Sequence, residues 1–170
     1  IFRWNHLAEL MLTEGSLGFY PPVAAADFAL YSWADGISPL VSLQYFWSYL
    51  FADAARPGLT APFILAQFGL VLHGAWVLAR RQASPRAAAL ACALVAASPL
   101  VLWSVLMGQE TGITILAMLG LLVFLPASAE DSTRLRVVLA GAAAAMGGLA
   151  REYGLAFIVL GAALILARKL

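Results

Sequence analysis

The sequence predicts an all-α protein: a polytopic bundle of transmembrane helices with amphipathic and interfacial helices on its outer face. Three observations predict it. First, 63% of the 170 residues are hydrophobic and 11% are charged, with a mean hydropathy of +0.89. A soluble domain is about half apolar and roughly a quarter charged. Second, apolar stretches follow one another from residue 59 to the end. In lipid such a pattern satisfies its backbone internally as helices. Third, Glu110 is the one Asp, Glu, Lys, Arg or His between Arg86 and Glu130. The formal net charge of +1 gives no reason to expect a nucleic-acid partner.

Residues 1–14 read as an amphipathic helix. Asn5, His6, Glu9 and Thr13 form its polar side, and Phe2, Leu7, Leu10 and Met11 its apolar side. Gly15 is the expected stop. The helix is too short and too polar to span, so it is expected on the membrane surface or against the bundle.

Residues 16–37 read as a loop punctuated by Gly18, Pro21, Pro22 and Gly36. Its aromatics are Phe19, Tyr20, Phe28, Tyr31 and Trp33, and it holds Asp27 and Asp35. Such aromatics collect at the headgroup level, and the same side chains stack on sugar rings. Both readings stay open.

At 38–52 a short helix follows, with Ser38 as N-cap and Pro39 at its first position. It reaches about 22 Å, short of a ~30 Å hydrocarbon core. Ser42, Gln44 and Ser48 also interrupt it, so it reads as interfacial. Residues 1–58 thus form an outer-face region with two short helices, and 59–170 a bundle of about five spans.

The expected spans are 59–79, 87–107, 111–126, 135–150 and 153–167. Ala140, Ala144 and Gly148 repeat at four-residue spacing beside Gly141 and Gly147, a small-residue stripe that lets a neighbouring helix approach. Gln67 and His73 read as polar contacts between helices. Cys92 is the single cysteine, so there is no disulfide framework, and it reads as a small buried residue. The chain starts at Ile1 and ends at Leu170 directly after an apolar run. It therefore reads as a piece of a longer polytopic protein.

Basic residues set the orientation. If the spans alternate, Arg80, Arg81, Arg86, Arg134, Arg136, Arg168 and Lys169 share one face, and Arg3, Arg56 and Arg151 the other. The richer face is expected to be cytoplasmic. Glu110, the aromatic loop and Arg151-Glu152 then meet outside. Counting 38–52 as a full span would separate Glu110 from the aromatic loop.

HExxH, CxxC, Walker and GxSxG patterns are all missing from the sequence. An acid at a membrane boundary is costly to keep near hydrocarbon, which makes Glu110 a functional candidate. An acid there can orient or deprotonate a hydroxyl, or hold a divalent ion. Arg151 follows directly on an apolar stretch, and arginine suits bidentate recognition of phosphate. Acid, arginine and aromatics at one surface fit transfer from a lipid-phosphate donor. Boundary anchoring of Arg151-Glu152 is the alternative, as are a transporter fragment and a membrane scaffold.

Three segments carry a resemblance. Ile1–Gly15 is similar to the helix that follows the first catalytic Asp of the GT-C glycosyltransferases, a group that includes protein mannosyltransferases, aminoarabinose transferases and arabinofuranosyltransferases. Met107-Gly108-Gln109-Glu110-Thr111 resembles that family's Ser-Gly-Met-Glu-Thr type of second outer loop. Gly147-Gly148-Leu149-Ala150-Arg151-Glu152-Tyr153-Gly154-Leu155 resembles its Leu-Ala-Arg-Pro-Glu-Gly-Leu junction. In layout the likeness covers the whole chain, although its motifs are short. Two departures stand out. The first-loop Asp would precede Ile1, and Glu152-Tyr153 stands where Pro-Glu is common, so the acid is displaced by one position.

The resemblance implies a polyprenyl-phosphate sugar as donor, a glycan, lipid or protein acceptor, and inverting transfer on the outer side of the cytoplasmic membrane. It implies that Glu110 takes the second acidic position, orienting the acceptor or contacting a divalent metal ion. Arg151 is expected to bind the donor phosphate. His6, Trp33, Asp35, Gln109, Glu152 and Tyr153 are the further substrate-binding candidates.

Overall fold

The structure, a computed structural model, describes residues 2–16, 39–125, 133–150 and 154–167. These form α1 (Phe2–Glu14), α2 (Pro39–Ala52), a 3₁₀ turn (Pro57–Thr60), α3 (Ala61–Arg80), α4 (Pro85–Ala97), α5 (Pro99–Leu106), α6 (Glu110–Phe124), α7 (Arg134–Ala150) and α8 (Gly154–Ala167). No strand occurs among the described residues, so the all-α class stands.

Four of the five apolar stretches fold as single helices close to their expected limits. The exception is 87–107, which breaks at Ser98 into α4 and α5 with a bend of 64°. Pro99 is the cause: it has no N–H to donate, and its ring would clash with the carbonyl four residues back. Ser98, preceding the proline, is held extended at φ −68° and ψ 116°. Its hydroxyl then accepts from Val101 N at 3.5 Å and starts α5.

α1 and α2 pack on each other. Leu7, Ala8 and Met11 of α1 are buried, as are Val41, Tyr45 and Tyr49 of α2. One assignment within α1 changes. His6, Glu9 and Thr13 are exposed as expected, but Asn5 is buried. Asn5 shares the i, i+3, i+7 ridge of Ala8 and Leu12, which faces α2. There its Oδ1 accepts the Tyr49 hydroxyl at 2.5 Å. Tyr49→Phe would leave a whole buried amide without a partner, because Asn5 Nδ2 has none among the described residues. The expected cost is about 1–3 kcal/mol, read as a lower thermal denaturation midpoint.

Gly15, at φ +60°, ends α1 as expected. Asp53, at φ 49°, ends α2 in a Schellman arrangement. Asp53 N bonds Leu50 O at 3.3 Å and Ala54 N bonds Tyr49 O at 3.1 Å.

Side-chain registers fix the direction of every later helix. Gln67 of α3 lies against Gly112 of α6, and Gly74 lies against Leu119. Arg81 donates to the carbonyls of Leu122 and Val123. α3 and α6 therefore run parallel, and α4 with α5, despite the bend, returns the chain between their opposite ends. α7 runs back along α6: Gly147 lies against Ala117 and Gly120 against Ala143. α8 reverses again, with Phe157 against Gly147 and Gly161 against Ala144.

The small-residue stripe of α7 is present, with Ala140 and Ala144 buried as expected and Gly147 taking the place of Gly148. Ala140, Ala143, Ala144, Gly147 and Ala150 are the buried positions. A Cβ at Gly147 would lie 2.7 Å from the Phe157 ring, whereas nothing lies within 4 Å at Gly141. Gly147, rather than Gly148, is the point of close approach because α7 is squeezed from two sides, by α6 and by α8.

Gln67 reaches between α3 and α6, but His73 is exposed on the outside of α3. Cys92 is half-buried beside α3, its thiol donating to Leu72 O at 3.5 Å.

Two ends result. Arg80, Arg81, Arg86, Arg134 and Arg136 lie at one, where α3 ends and α4 and α7 begin. The Gly108 turn, Ala150, α1 and α2 lie at the other. Among the described residues one helix, Pro57–Arg80, is long and apolar enough to cross a membrane, with mean hydropathy 1.6. The bent α4–α5 pair is a second if taken as one span. α6 is a shorter apolar helix, and so is the stretch Ala156–Ala167 of α8.

Candidate functional site

The turn between α5 and α6 is built around a glycine. Met107 N bonds Trp103 O at 3.2 Å and Gly108 N bonds Val105 O at 3.0 Å, which closes α5. Gly108 then takes φ +61°, a conformation that costs a residue with a Cβ about 1 kcal/mol or more. Gln109 is extended, at φ −98° and ψ 162°, and α6 starts at Glu110.

Glu110 is thus in the first turn of α6, where the unpaired backbone N–H groups favour a negative charge. The residue is half-buried and its Oε2 is shielded from solvent. Thr114 Oγ1 bonds the Glu110 carbonyl at 2.9 Å, one helical turn along.

Two other helices close on this turn at its glycines. Tyr45 of α2 donates its hydroxyl to Gly108 O at 3.0 Å in a buried contact. A Cβ at Gly108 would fall on that hydroxyl and would lie 3.0 Å from Ile64 Cδ1. At Gly112 a Cβ would lie 2.9 Å from Gln67 Nε2 and 2.9 Å from Ser104 O. Burial, and then the neighbouring Tyr49, pushes the Tyr45 phenol up to about 12, so it stays a donor at any physiological pH.

An apolar cluster ties the surrounding elements together. Ala8 of α1, Val41, Tyr45 and Tyr49 of α2, Ile113 of α6 and Ala150 of α7 are its buried members. Ile113 is three residues after Glu110, and Ala150 directly precedes Arg151 in the sequence. Among the described residues this end also carries Glu9, Glu14, Asp53 and Arg56.

Of the candidates read from the sequence, Glu110 and Gln109 stand in this turn, both half-buried. His6 is on the exposed side of α1. Trp33, Asp35, Arg151, Glu152 and Tyr153 lie outside the described residues. No group of three or more His, Cys, Asp or Glu gathers with metal-binding geometry among the described residues.

Sequence reasoning missed Tyr45 and gave no role to Gly108 or Gly112. The glycines carried a signal, since two of them flank Glu110 at two-residue distance inside an otherwise apolar stretch. Tyr45 carried none, being 63 residues from its partner.

Compared with protein-family models, with curated proteins and with solved structures, the chain finds no match.

Proposed function

We propose that this chain belongs to a multi-pass membrane glycosyltransferase of the GT-C type. It would move a sugar from a polyprenyl-phosphate donor to an acceptor hydroxyl on the extracytoplasmic face, with inversion. The observation that carries this reading is the position of Glu110. Its carboxylate stands at a helix start, on the end of the bundle capped by α1 and α2, opposite the arginine-rich end.

In this reading the arginine-rich end is cytoplasmic, and the shorter helices α6, α7 and α8 cross beside α3 and the bent α4–α5 pair. The exposed Leu65, Leu70, Leu90, Leu94 and Val159 then face lipid. Exposed Trp47 and Phe51 on α2 suit the headgroup level.

The acceptor oxygen attacks the anomeric carbon and its proton passes to a carboxylate. The bond from that carbon to the lipid phosphate breaks, and polyprenyl phosphate leaves with the electron pair. Glu110 orients the acceptor hydroxyl, and Arg151 balances charge on the departing phosphate. Gln109 is a further contact. Residues of this kind suit sugar recognition at His6, Trp33, Asp35, Glu152 and Tyr153. A divalent ion would find one carboxylate in the turn, so the described residues do not make an ion site by themselves, and no step is routed through one.

The 64° break between α4 and α5 also fits a transporter, where discontinuous helices meet bound ions. Here Leu100 and Trp103 beside the break are exposed, and the nearest cations are at the helix ends. The enzyme reading is therefore preferred.

The test is reconstitution of the full-length protein in liposomes with labelled polyprenyl-phosphate pentoses and hexoses and a membrane extract that supplies glycan, lipid and protein acceptors. Sugar-dependent release of polyprenyl phosphate is the expected result, and no release from any donor sinks the reading. Arg151→Ala should raise the donor KM about tenfold or more, the loss of a charge-assisted phosphate contact. An unchanged KM would return Arg151 to boundary anchoring.

A further inference from the structure

The geometry points to Tyr45 as a positioning residue for Glu110: its hydroxyl, brought by α2, locks the left-handed Gly108 turn from which α6 and its first-turn carboxylate start. This rests on the reading of Glu110 as an acid of the site.

Three observations carry it. The Tyr45 hydroxyl donates to Gly108 O at 3.0 Å, so it holds the peptide just two residues before Glu110. The same hydroxyl occupies the space that a side chain at residue 108 would need, so turn and phenol fit only together. Tyr45 is itself 2% exposed and therefore has little freedom to leave.

The far side of the turn is held separately. Gln67 and the Ser104 carbonyl close on Gly112, so the start of α6 is fixed from α3 and α5 as well. Tyr45 is the post on the α2 side. One helical turn further along α2, Tyr49 bonds Asn5 of α1. One face of α2 thus ties the Glu110 turn to α1, the helix that carries His6. A shift of α2 at Tyr45 would move Gly108, and with it the direction of the Glu110 carboxylate.

Cys92 is the single cysteine of these 170 residues, so Cys92→Ala, with any cysteine elsewhere in the full-length protein replaced as well, gives a cysteine-free background for labelling. In the full-length protein with Gln109→Cys, the rate of reaction with a membrane-impermeant maleimide reports opening of the turn. Tyr45→Phe removes one buried hydrogen bond at nearly constant shape and should raise that rate about fivefold. Tyr49→Phe, one turn along the same helix, should leave it unchanged. An unchanged rate in Tyr45→Phe, or an equal rise in Tyr49→Phe, overturns the inference.

Transfer kinetics with Gln109 intact give a second reading. Tyr45→Phe should lower kcat about tenfold with the donor KM unchanged, as misdirection of a reacting group does. It should lower kcat no further once Glu110→Gln is present. A change in donor KM at constant kcat overturns the inference. If Glu110→Gln itself leaves transfer intact, the functional reading fails, while the labelling comparison still decides whether Tyr45 holds the turn.

Discussion

Glu110→Gln is expected to reduce sugar transfer about a hundredfold or more while the protein still inserts and folds. The two side chains have the same shape, so the packing around the first turn of α6 is kept. The lost charge at the helix start costs only about 0.3–1 kcal/mol. What disappears is the carboxylate's ability to take or direct the proton of an acceptor hydroxyl. The measurement is transfer rate per folded protein in liposomes, with insertion followed separately by protease protection. Full activity in the variant would remove Glu110 from the site.

Gly108→Ala is expected to be strongly destabilising, because it combines backbone strain with a steric clash. It forces a Cβ into φ +61°, which costs about 1–2 kcal/mol. It also drives out the Tyr45 hydroxyl, leaving a buried donor and the Gly108 carbonyl without each other, at about 1–3 kcal/mol. The combined loss should be about 2–5 kcal/mol, in the range where named structural damage rather than surface change is at work. Gly141→Ala is the contrast: nothing lies within 4 Å of its added Cβ, and alanine favours a helix by about 0.5–1 kcal/mol. Thermal denaturation in detergent compares the two. Equal midpoints for Gly108→Ala and the parent would mean that the turn is not built around that hydroxyl.

The helices were legible because their signals are local. Apolar length and the Gly and Pro punctuation located α3, α6, α7 and α8 within a few residues. Pro39 and Gly15 marked ends that depend on the backbone of those residues alone. Ser98-Pro99 was equally visible, yet the stretch around it reads as one span, because hydropathy averages over a proline that the backbone must obey. Asn5 differs for another reason: its polarity predicts exposure, whereas Tyr49, 44 residues away, supplies a buried partner. In α7 the stripe holds at Ala140 and Ala144, and only its last member differs, since contact with both α6 and α8 selects Gly147 over Gly148.

Glu110 shows the same division at the site itself. By itself the sequence determined that this acid is the one charged residue at the junction of two apolar stretches, with glycines on both sides. Those are properties of composition and spacing, and they follow from the cost of putting charge in hydrocarbon and from the freedom of a residue without a Cβ. Only the tertiary structure decided what fills the space beside those glycines. Tyr45 comes from α2 and Gln67 from α3, and no local preference of either residue encodes its partner. The Tyr45 hydrogen bond and the packing of Gln67 become possible only when parallel α3 and α6 bring the turn under α2.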